Sequence, residues 1–269
     1  MANEGVRHTT LTMLIAIKIG SNVLTRRDGT LDFTRMSALV DQIAELRRDG
    51  INVILISSGA VASGRSEMHL PADELDTMDS VEQRQLFSAV GQAKLMGRYV
   101  DLFRDHDIHV GQVLTTKDNF LADEPLQNQH QCMAAMLAHN VLPIVNENDT
   151  VCITELMFTD NDELSGLIAE LMGCQKLIIL SNIDGIYTGN PSDHDSRLIP
   201  TIRPGDDLSR YIQAEKSAFG RGGMHSKYTT ACRVQAAGIP VIIANGKRDN
   251  ILVDVINNPA NTPHTEFVV

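Results

Sequence analysis

Short apolar runs alternate with longer segments of helical periodicity along most of the chain. The apolar runs are of strand length and predict β-strands at residues 13–19, 51–58, 109–116, 141–148, 176–183 and 240–246. Apolar residues at three- and four-residue intervals predict α-helices at residues 34–48, 81–105, 127–138, 164–172 and 227–237. A short helix at 251–256 and an edge strand at 266–269 complete the pattern.

This alternation predicts an α/β fold with a mostly parallel central sheet sandwiched between helices on both faces. The run at 51–58 is apolar over most of its length, which is typical of a strand buried on both faces. In such sheets, ligands bind beyond the carboxyl ends of the strands. Functional motifs are therefore expected directly after strands.

Composition and charge narrow the classes of function. The 269 residues carry a formal net charge of −11, which disfavours binding to nucleic acid or to an anionic membrane. No apolar run reaches the length of a membrane span, and residues 1–12 lack the apolar core of a signal peptide. Four scattered cysteines without a Cys-x-x-Cys pair favour a reducing compartment over disulfides or a zinc site. We expect a cytoplasmic protein.

The first candidate binding segment ends the strand at 13–19. Lys18 lies inside an apolar run, where burial of its charge is costly unless an anion lies nearby. Gly20 allows the backbone to approach a ligand closely, and the amides of Gly20 and Ser21 can donate hydrogen bonds to it. An anion site is one interpretation. The other is a lysine at a strand end whose ammonium group reaches water.

The second segment, SSGAVASG at 57–64, directly follows the strand at 51–58. Ser58, Gly59 and Ala60 form a small turn that opens into a helix, and amides at a helix start can bind an anion or a carboxylate. The spacing matches neither a Walker A loop nor the GxGxxG fingerprint. A tight strand–helix turn without a ligand remains the alternative.

The third segment is polar and follows the strand at 141–148. Asn146, Asn148 and Asp149 come first, and Asn161 and Asp162 follow within about twenty residues. Carboxylates and amides in this density can bind an amino group, a polar substrate or a cation. The spacing does not fit an EF-hand. The alternative is that residues 160–162 only cap the helix that follows, although capping and binding are compatible.

The fourth segment joins two turns that can hold phosphate. A glycine-rich run precedes the helix at 227–237 and ends in a lysine, and a turn follows the strand at 176–183. The residues of these two turns are Arg221, Gly222, Gly223, Met224, His225, Ser226 and Lys227, and Ser181, Asn182, Asp184, Gly185 and Tyr187. A flexible surface loop is the alternative for the glycine run.

Lysines at two glycine-containing segments about two hundred residues apart favour phosphoryl transfer, which depends mainly on positioning and charge stabilisation. The spacing shows no Ser/His/Asp or Cys/His arrangement for nucleophilic catalysis.

From residue 13 onwards, the chain resembles the amino acid kinase family and, within it, the glutamate 5-kinase subfamily. The motifs that carry the resemblance occur in order: KIGSNVLT, SSGAVASG, AVGQAKLM, VGQVLTT, PIVNENDTV, DNDELSG, LSNIDGIYT, GRGGMHSK and IPVIIANG. The resemblance implies transfer of a phosphoryl group from ATP, with Mg²⁺ bound through the ATP phosphates, to the side-chain carboxylate of L-glutamate. The product, L-glutamyl 5-phosphate, would enter proline biosynthesis.

The resemblance also implies a role for each segment. Lys18 and Lys227 would stabilise the transferring phosphoryl group, and Asp162 would hold both lysines. The glutamate would contact Ser58, Gly59, Ala60, Asp149 and Asn161, with Asn146 and Asn148 shaping the same pocket. The nucleotide would contact Lys18, Gly20, Ser21, the 181–187 turn and the 221–227 loop. No residue is expected to bind the metal directly.

Further expectations concern organisation and partners. Residues 1–12 would be a leader and residues 13–269 the kinase domain, with a substrate half at about 13–175 and a nucleotide half at about 176–269. The C-terminal RNA-binding-like domain of many relatives would be absent. Feedback inhibition by proline, a homodimer or homotetramer, and transfer of the product to glutamate-5-semialdehyde dehydrogenase are expected.

Two alternatives stay open. Another kinase of the same fold, acting on acetylglutamate or isopentenyl phosphate, is the nearest one, although the polar 146–162 region disfavours a terpenoid substrate. A catalytically silent nucleotide sensor is the other, although Lys18, Asp162 and Lys227 are all present. Many relatives carry Thr-Asp in place of Ser181-Asn182, which leaves the nucleotide preference open.

Overall fold

The computed structural model describes residues 13–151, 160–208, 211 and 223–269. Its strands are β1 (Leu14–Ile19), β2 (Asn52–Ser57), β3 (His109–Thr115), β4 (Val141–Glu147), β5 (Lys176–Ser181), β6 (Thr201–Ile202), β7 (Val241–Asn245) and β8 (His264–Phe267). They form one sheet in the order β3-β4-β2-β1-β5-β7-β8-β6. Each of the six predicted internal strands is confirmed, and its bounds agree within two residues.

Helices connect most of these strands. They are α1 (Ser21–Leu24), α2 (Phe33–Arg48), α3 (Ala60–Met68), α4 (Ala72–Leu75), α5 (Ser80–Arg104), α6 (Asp123–Ala138), α7 (Asn161–Leu171), α8 (Met224–Ala236) and α9 (Ile251–Asn257), with 3₁₀ turns at Lys117–Phe120 and Pro259–Asn261. The predicted helices are confirmed, but α6, α7 and α8 begin three or four residues earlier than expected. Their first turns are polar, so apolar periodicity does not reveal them.

All pairings in the sheet are parallel except that of β7 with β8. The predicted position of the last strand was wrong. β8 spans His264–Phe267 and lies between β7 and β6, so it is not an edge strand. The outer neighbour is the two-residue strand β6, which is too short to produce a recognisable sequence pattern.

Two apolar cores cover the two faces of the sheet, as the prediction of helices on both faces requires. Ile15, Ile17 and Ile19 of β1 pack with residues of α2, α5 and α9. Ala16, on the opposite face, packs with residues of α6, α7 and α8. Because side chains alternate along a strand, Lys18 points to the same face as Ala16, towards α7 and α8.

In the part of the chain that the structure describes, no helix is both long and apolar enough to cross a membrane.

Candidate active site

A cavity of about 1350 Å³ opens at the carboxyl ends of the central strands. Residues from the ends of β1, β2, β4 and β5 line it, together with residues from the first turn of α8. This is where ligands bind in parallel α/β sheets.

Three charged side chains meet at one end of the cavity. The Nζ atom of Lys18 lies 2.5 Å from Oδ1 of Asp162, and the Nζ atom of Lys227 lies 2.8 Å from Oδ2. Asp162 is fully buried, and the two lysines are 4% and 7% exposed. The interpretation of Lys18 as a lysine that reaches water is therefore wrong. Both lysines line the cavity while sharing one carboxylate behind them.

Local structure brings these three residues together. Lys18 lies in the centre of the sheet, aligned with Ile56 of β2 and Ile179 of β5. Asp162 is the second residue of α7, and Lys227 is in the first turn of α8. The two amino-terminal helix ends thus bring positive backbone dipole to the same end of the cavity.

The pKa values of the acidic residues here follow from burial and charge. Burial raises the pKa of Asp162, but Lys18 and Lys227 outweigh burial and hold it below its ordinary value. The pKa of Asp160 is raised, first by burial and then by the charge of Asp162. Asp160 also caps α7, because its Oδ1 accepts hydrogen bonds from the amides of Asp162 at 2.9 Å and Glu163 at 3.2 Å. The capping prediction for this segment is confirmed.

Next to the lysines, a network of amides joins four elements. The Nδ2 atom of Asn161 lies 3.0 Å from Oγ of Ser58, 2.9 Å from Oδ1 of Asn146 and 3.3 Å from the carbonyl of Ser57. The Nδ2 atom of Asn146 donates to Oε1 of Gln92 on α5 at 2.8 Å. The network therefore holds the side chains of Ser58, Asn146 and Asn161 in fixed positions relative to one another.

An ion-pair cluster also lines the cavity. The Nε atom of Arg84 on α5 donates to Oδ1 of Asp149 at 2.8 Å, and its Nη2 atom lies 2.5 Å from the same oxygen. The Nη2 atom also donates to Oε2 of Glu147 at 2.7 Å. Burial raises the pKa of Asp149, and the charge of Arg84 opposes that shift. All three residues line the cavity.

Close packing of α3 against α5 holds the turn between β2 and α3. A Cβ atom on Gly64 would lie 1.9 Å from the carbonyl oxygen of Phe87, and one on Gly91 would lie 1.8 Å from that of Ala60. Gly59 begins α3 at a φ of 110°, a backbone conformation that favours glycine. The turn that carries Ser58 is thus held in place by glycines on both helices.

The sequence of residues 13–245 matches the model of the amino acid kinase family. The chain belongs to the amino acid kinase family.

Its similarity to individual family members is extensive. It is 66% identical over 254 residues to a protein named glutamate 5-kinase from Bacteroides thetaiotaomicron, covering 94% of this chain and 69% of that protein. It is 45% identical over 243 residues to a glutamate 5-kinase from Chlorobaculum tepidum, covering 88% of this chain and 64% of the relative. The chain thus spans about two thirds of the length of these relatives.

The fold is also shared with distant kinases. A carbamate kinase from Giardia lamblia, solved bound to AMP-PNP, superposes with a TM-score of 0.66 at 18% identity. The alignment covers 96% of this chain and 99% of that one. At this identity the likeness shows the amino acid kinase fold alone.

Most residues predicted for binding do line the cavity of this amino acid kinase. They are Lys18, Gly20, Ser21, Ser58, Gly59, Ala60, Asn146, Asp149, Asn161, Ser181, Asn182, Gly223, Met224 and Lys227. Asp162 lies behind the two lysines, as the prediction that it holds them requires. Arg221 and Gly222, and residues 1–12, lie outside the described residues.

Six predicted contacts are not among the residues that line the cavity: Asn148, Asp184, Gly185, Tyr187, His225 and Ser226. Asp184 accepts two hydrogen bonds of 2.7 Å from Arg248 and one of 3.0 Å from Asn245. A Cβ atom on Gly185 would lie 2.3 Å from Oγ1 of Thr265. The sharp turn at these two positions therefore has a structural cause in the packing of the chain after β5.

Two residues of the amide network and the ion-pair cluster were missed by sequence reasoning. Arg84 and Gln92 belong to the predicted helix at 81–105, but the groups that they contact lie more than fifty residues away in sequence. Gln92 belongs to the AVGQAKLM motif that contributes to the family resemblance, and this was its only signal. Glu147 belongs to the PIVNENDTV motif, but only its neighbours Asn146, Asn148 and Asp149 were predicted to bind a ligand.

Proposed function

We propose that this protein transfers the γ-phosphoryl group of ATP to the side-chain carboxylate of L-glutamate, the reaction of a glutamate 5-kinase and the first step of proline biosynthesis. The observation that carries the proposal is the placement of Lys18 and Lys227 on the buried carboxylate of Asp162, whose neighbour Asn161 hydrogen-bonds to Ser58. The 66% identity to a protein of that name supports it.

The chemistry of this nucleophile fits the side chains present. A glutamate carboxylate has a pKa of about 4.3, so it reaches the site already ionised and needs no general base. An oxygen of this carboxylate attacks the γ-phosphorus, the bond to the β–γ bridging oxygen breaks, and ADP leaves. Lys18 and Lys227 lower the barrier because they stabilise negative charge on the phosphoryl group as it moves.

At the substrate end, Ser58, Asn161 and Asp149 are the proposed contacts of glutamate. A hydroxyl and an amide suit its carboxylates, and the carboxylate of Asp149 suits its ammonium group. The turn at Gly59 and Ala60 adds backbone amides at the start of α3. Asn146 orients Asn161 through the hydrogen bond between them, and Asn148 stays a prediction for the same pocket.

The nucleotide is proposed to lie along Gly20, Ser21, the 181–187 turn and the 221–227 loop. The amide of Gly20 donates to the carbonyl of Leu180 at 3.1 Å, so the expectation that this amide is free to bind a ligand is wrong. A Cβ atom at Gly20 would lie 3.0 Å from that same oxygen. The absence of a side chain at Gly20 therefore allows the end of β1 to approach β5 closely. The contact between β1 and β5 is also the border between the proposed substrate half, 13–175, and nucleotide half, 176–269.

Mg²⁺ is proposed to enter with the ATP phosphates as part of the substrate. Among the described residues, no group of three His, Cys, Asp or Glu side chains converges on a point that could hold a metal ion. The lysine-rich end of the cavity suits phosphate oxygens, which would supply the ligands of the ion. The ion would neutralise charge on the β- and γ-phosphates.

Three further expectations belong to the same proposal. Proline is a proposed feedback inhibitor at the glutamate pocket, testable by competition with glutamate. We also propose a homodimer or homotetramer in the cytoplasm, with product passed to glutamate-5-semialdehyde dehydrogenase. Sedimentation of the purified protein would test the assembly.

A substrate panel tests the reaction itself. The protein is incubated with MgATP and one acceptor, and the acyl phosphate is trapped with hydroxylamine as a hydroxamate. We expect signal with L-glutamate and none with N-acetylglutamate or aspartate. Equal signal from N-acetylglutamate, or none from any acceptor alongside ATP consumption, would overturn the proposal.

A further inference from the structure

Tyr99 is a buried tyrosine of α5 that the proposed mechanism does not use. Its side chain is fully buried and stacks on the ring of Phe103, with 6.1 Å between the ring centroids. Its hydroxyl lies 2.7 Å from Oγ of Ser57, which is also fully buried, at the end of β2. Neither Tyr99 nor Ser57 lines the cavity, but the two residues that follow Ser57 in the chain, Ser58 and Gly59, do.

We propose that Tyr99 is a positioning residue for the glutamate substrate. Through the hydroxyl of Ser57 it fixes the orientation of the peptide bond between Ser58 and Gly59, so that the amide of Gly59 can donate to a carboxylate oxygen of glutamate. The inference rests on the proposed function, because it concerns the turn that would contact that carboxylate. Tyr99 itself does not touch the substrate.

The hydrogen bonds run in one direction, from Tyr99 towards the turn. The Oγ atom of Ser57 donates to the carbonyl of Ser58 at 3.0 Å. A serine hydroxyl has a single proton, so Ser57 accepts in its contact with Tyr99, and the tyrosine hydroxyl donates. This assignment gives both buried protons an acceptor. Burial also raises the pKa of Tyr99, so its hydroxyl keeps the proton that it donates.

The planar peptide bond carries this restraint to the cavity. The peptide between Ser58 and Gly59 is trans, and in a trans peptide the carbonyl oxygen and the amide hydrogen point in opposite directions. Because the carbonyl of Ser58 points to Oγ of Ser57, the amide of Gly59 points away from it. In the described part of the chain no group accepts a hydrogen bond from this amide, and Gly59 lines the cavity. An amide in this position, at the start of α3, suits a carboxylate.

The turn is held from two sides, and Tyr99 supplies one of them. The Nδ2 atom of Asn161, on α7, donates to Oγ of Ser58 at 3.0 Å. The contact from Tyr99 comes from α5, which packs on the opposite face of the sheet. Helix α5 is itself fixed close to the turn, because a Cβ atom on Gly91 would lie 1.8 Å from the carbonyl oxygen of Ala60. Asn161 thus restrains the side chain of Ser58, and Tyr99 restrains its carbonyl.

The test separates the stability of the protein from its use of glutamate. Tyr99→Phe removes the donor, and Ser57→Ala removes the relay but leaves the hydroxyl of Tyr99 buried without its acceptor. The double variant removes both hydroxyls, and loss of both partners of a buried hydrogen bond costs less than loss of one. Ser88→Ala is the matched control on α5, because the buried hydroxyl of Ser88 donates to the carbonyl of Gln85 within the same helix at 3.1 Å.

We expect kcat/KM for glutamate to fall by about threefold in Tyr99→Phe and about tenfold in both Ser57→Ala and the double variant, while the KM for ATP stays within about twofold. The melting temperature should follow a different order, because it should be lowest in Ser57→Ala and recover in the double variant. The rise in melting temperature on addition of glutamate without ATP should follow kcat/KM. Ser88→Ala should match wild type in both kinetic constants.

Several results would overturn the proposal. If kcat/KM for glutamate recovers in the double variant together with the melting temperature, the hydrogen bond serves stability alone. Equal changes in the constants for glutamate and ATP would show a general structural role. Should Ser57→Ala not fold, the double variant must still have a lower kcat/KM for glutamate than Tyr99→Phe, and equal values overturn the relay. If wild type forms no glutamate hydroxamate, the proposed function and this inference both fail; if it does and Tyr99→Phe is unchanged, only this inference fails.

Discussion

Two charged clusters that line the cavity are built in opposite ways. In the first, which we call the phosphoryl end, Lys18 and Lys227 share the carboxylate of Asp162. In the second, which we call the substrate end, the carboxylates of Asp149 and Glu147 share the guanidinium of Arg84. The first cluster thus presents lysines to the proposed phosphoryl group, and the second presents carboxylates to the proposed amino group of glutamate.

The ends also differ in how they are built. The phosphoryl end is formed by β1 and by the first turns of α7 and α8, two helices that pack on the same face of the sheet. The substrate end depends on α5, a helix that packs on the other face. A change in one end should therefore alter one kinetic constant and leave the other largely unaffected, and the following predictions test that separation.

The largest effect is expected from Lys227→Ala. The variant removes one of two cations at the phosphoryl end, so kcat should fall by about a thousandfold while the KM for glutamate changes little. An assay of ADP release with saturating substrates measures it, and circular dichroism checks that the fold persists. Turnover close to that of wild type would remove Lys227 from the mechanism.

Asp149→Ala should act mainly on the substrate end. Loss of the carboxylate breaks its ion pair with Arg84 and removes the proposed partner of the ammonium group. We expect the KM for glutamate to rise by about thirtyfold or more and the KM for ATP to change far less. Steady-state kinetics with each substrate varied in turn measures this; similar changes in both constants would contradict the separation of the two ends.

Gly91→Ala tests the dependence of the substrate end on α5. The added methyl group would lie 1.8 Å from the carbonyl oxygen of Ala60, so α3 and α5 must move apart. We expect a loss of about 1–3 kcal/mol in the free energy of unfolding and a higher KM for glutamate. Urea unfolding measures the first quantity.

Gly97→Ala is the matched control for that variant, on the same helix. Nothing lies within 4 Å of a Cβ atom at Gly97, so alanine there should stabilise the protein by about 0.5–1 kcal/mol through its helix propensity. Equal destabilisation by the two substitutions would mean that the contact between α3 and α5 is not the cause.

The smallest effect concerns pH. Burial raises the pKa of Asp149, whereas Lys18 and Lys227 overcome burial and lower the pKa of Asp162. As pH falls, Asp149 should be protonated before Asp162, so the KM for glutamate should rise at a higher pH than the pH at which kcat falls. The KM must be corrected for the protonated fraction of free glutamate; a fall in kcat at higher pH than the rise in KM would reverse this order.

Most strands, helices and turns of this protein could be predicted from the sequence, because the patterns that specify them are local. Strand-length apolar runs and helical periodicity determine the α/β fold, and each turn after a strand is readable from its glycines and polar residues. Lys18 stands out because a charge inside an apolar strand needs a partner. Nothing near it in sequence shows that the partner is Asp162, which lies 144 residues away, although the family resemblance supplied that pairing.

Other features were decided by tertiary structure. The pairing of β6 outside β8 rests on two residues, which is too little for a pattern. The roles of Arg84 and Gln92 depend on groups at the end of β4, which only the packing of α5 brings within hydrogen-bond distance. The sequence by itself determined the elements and which residues follow each strand, since those depend on neighbours in the chain. Which charges meet, two lysines on Asp162 and two carboxylates on Arg84, was decided by the fold, because electrostatic contacts depend on distance in space and not along the chain.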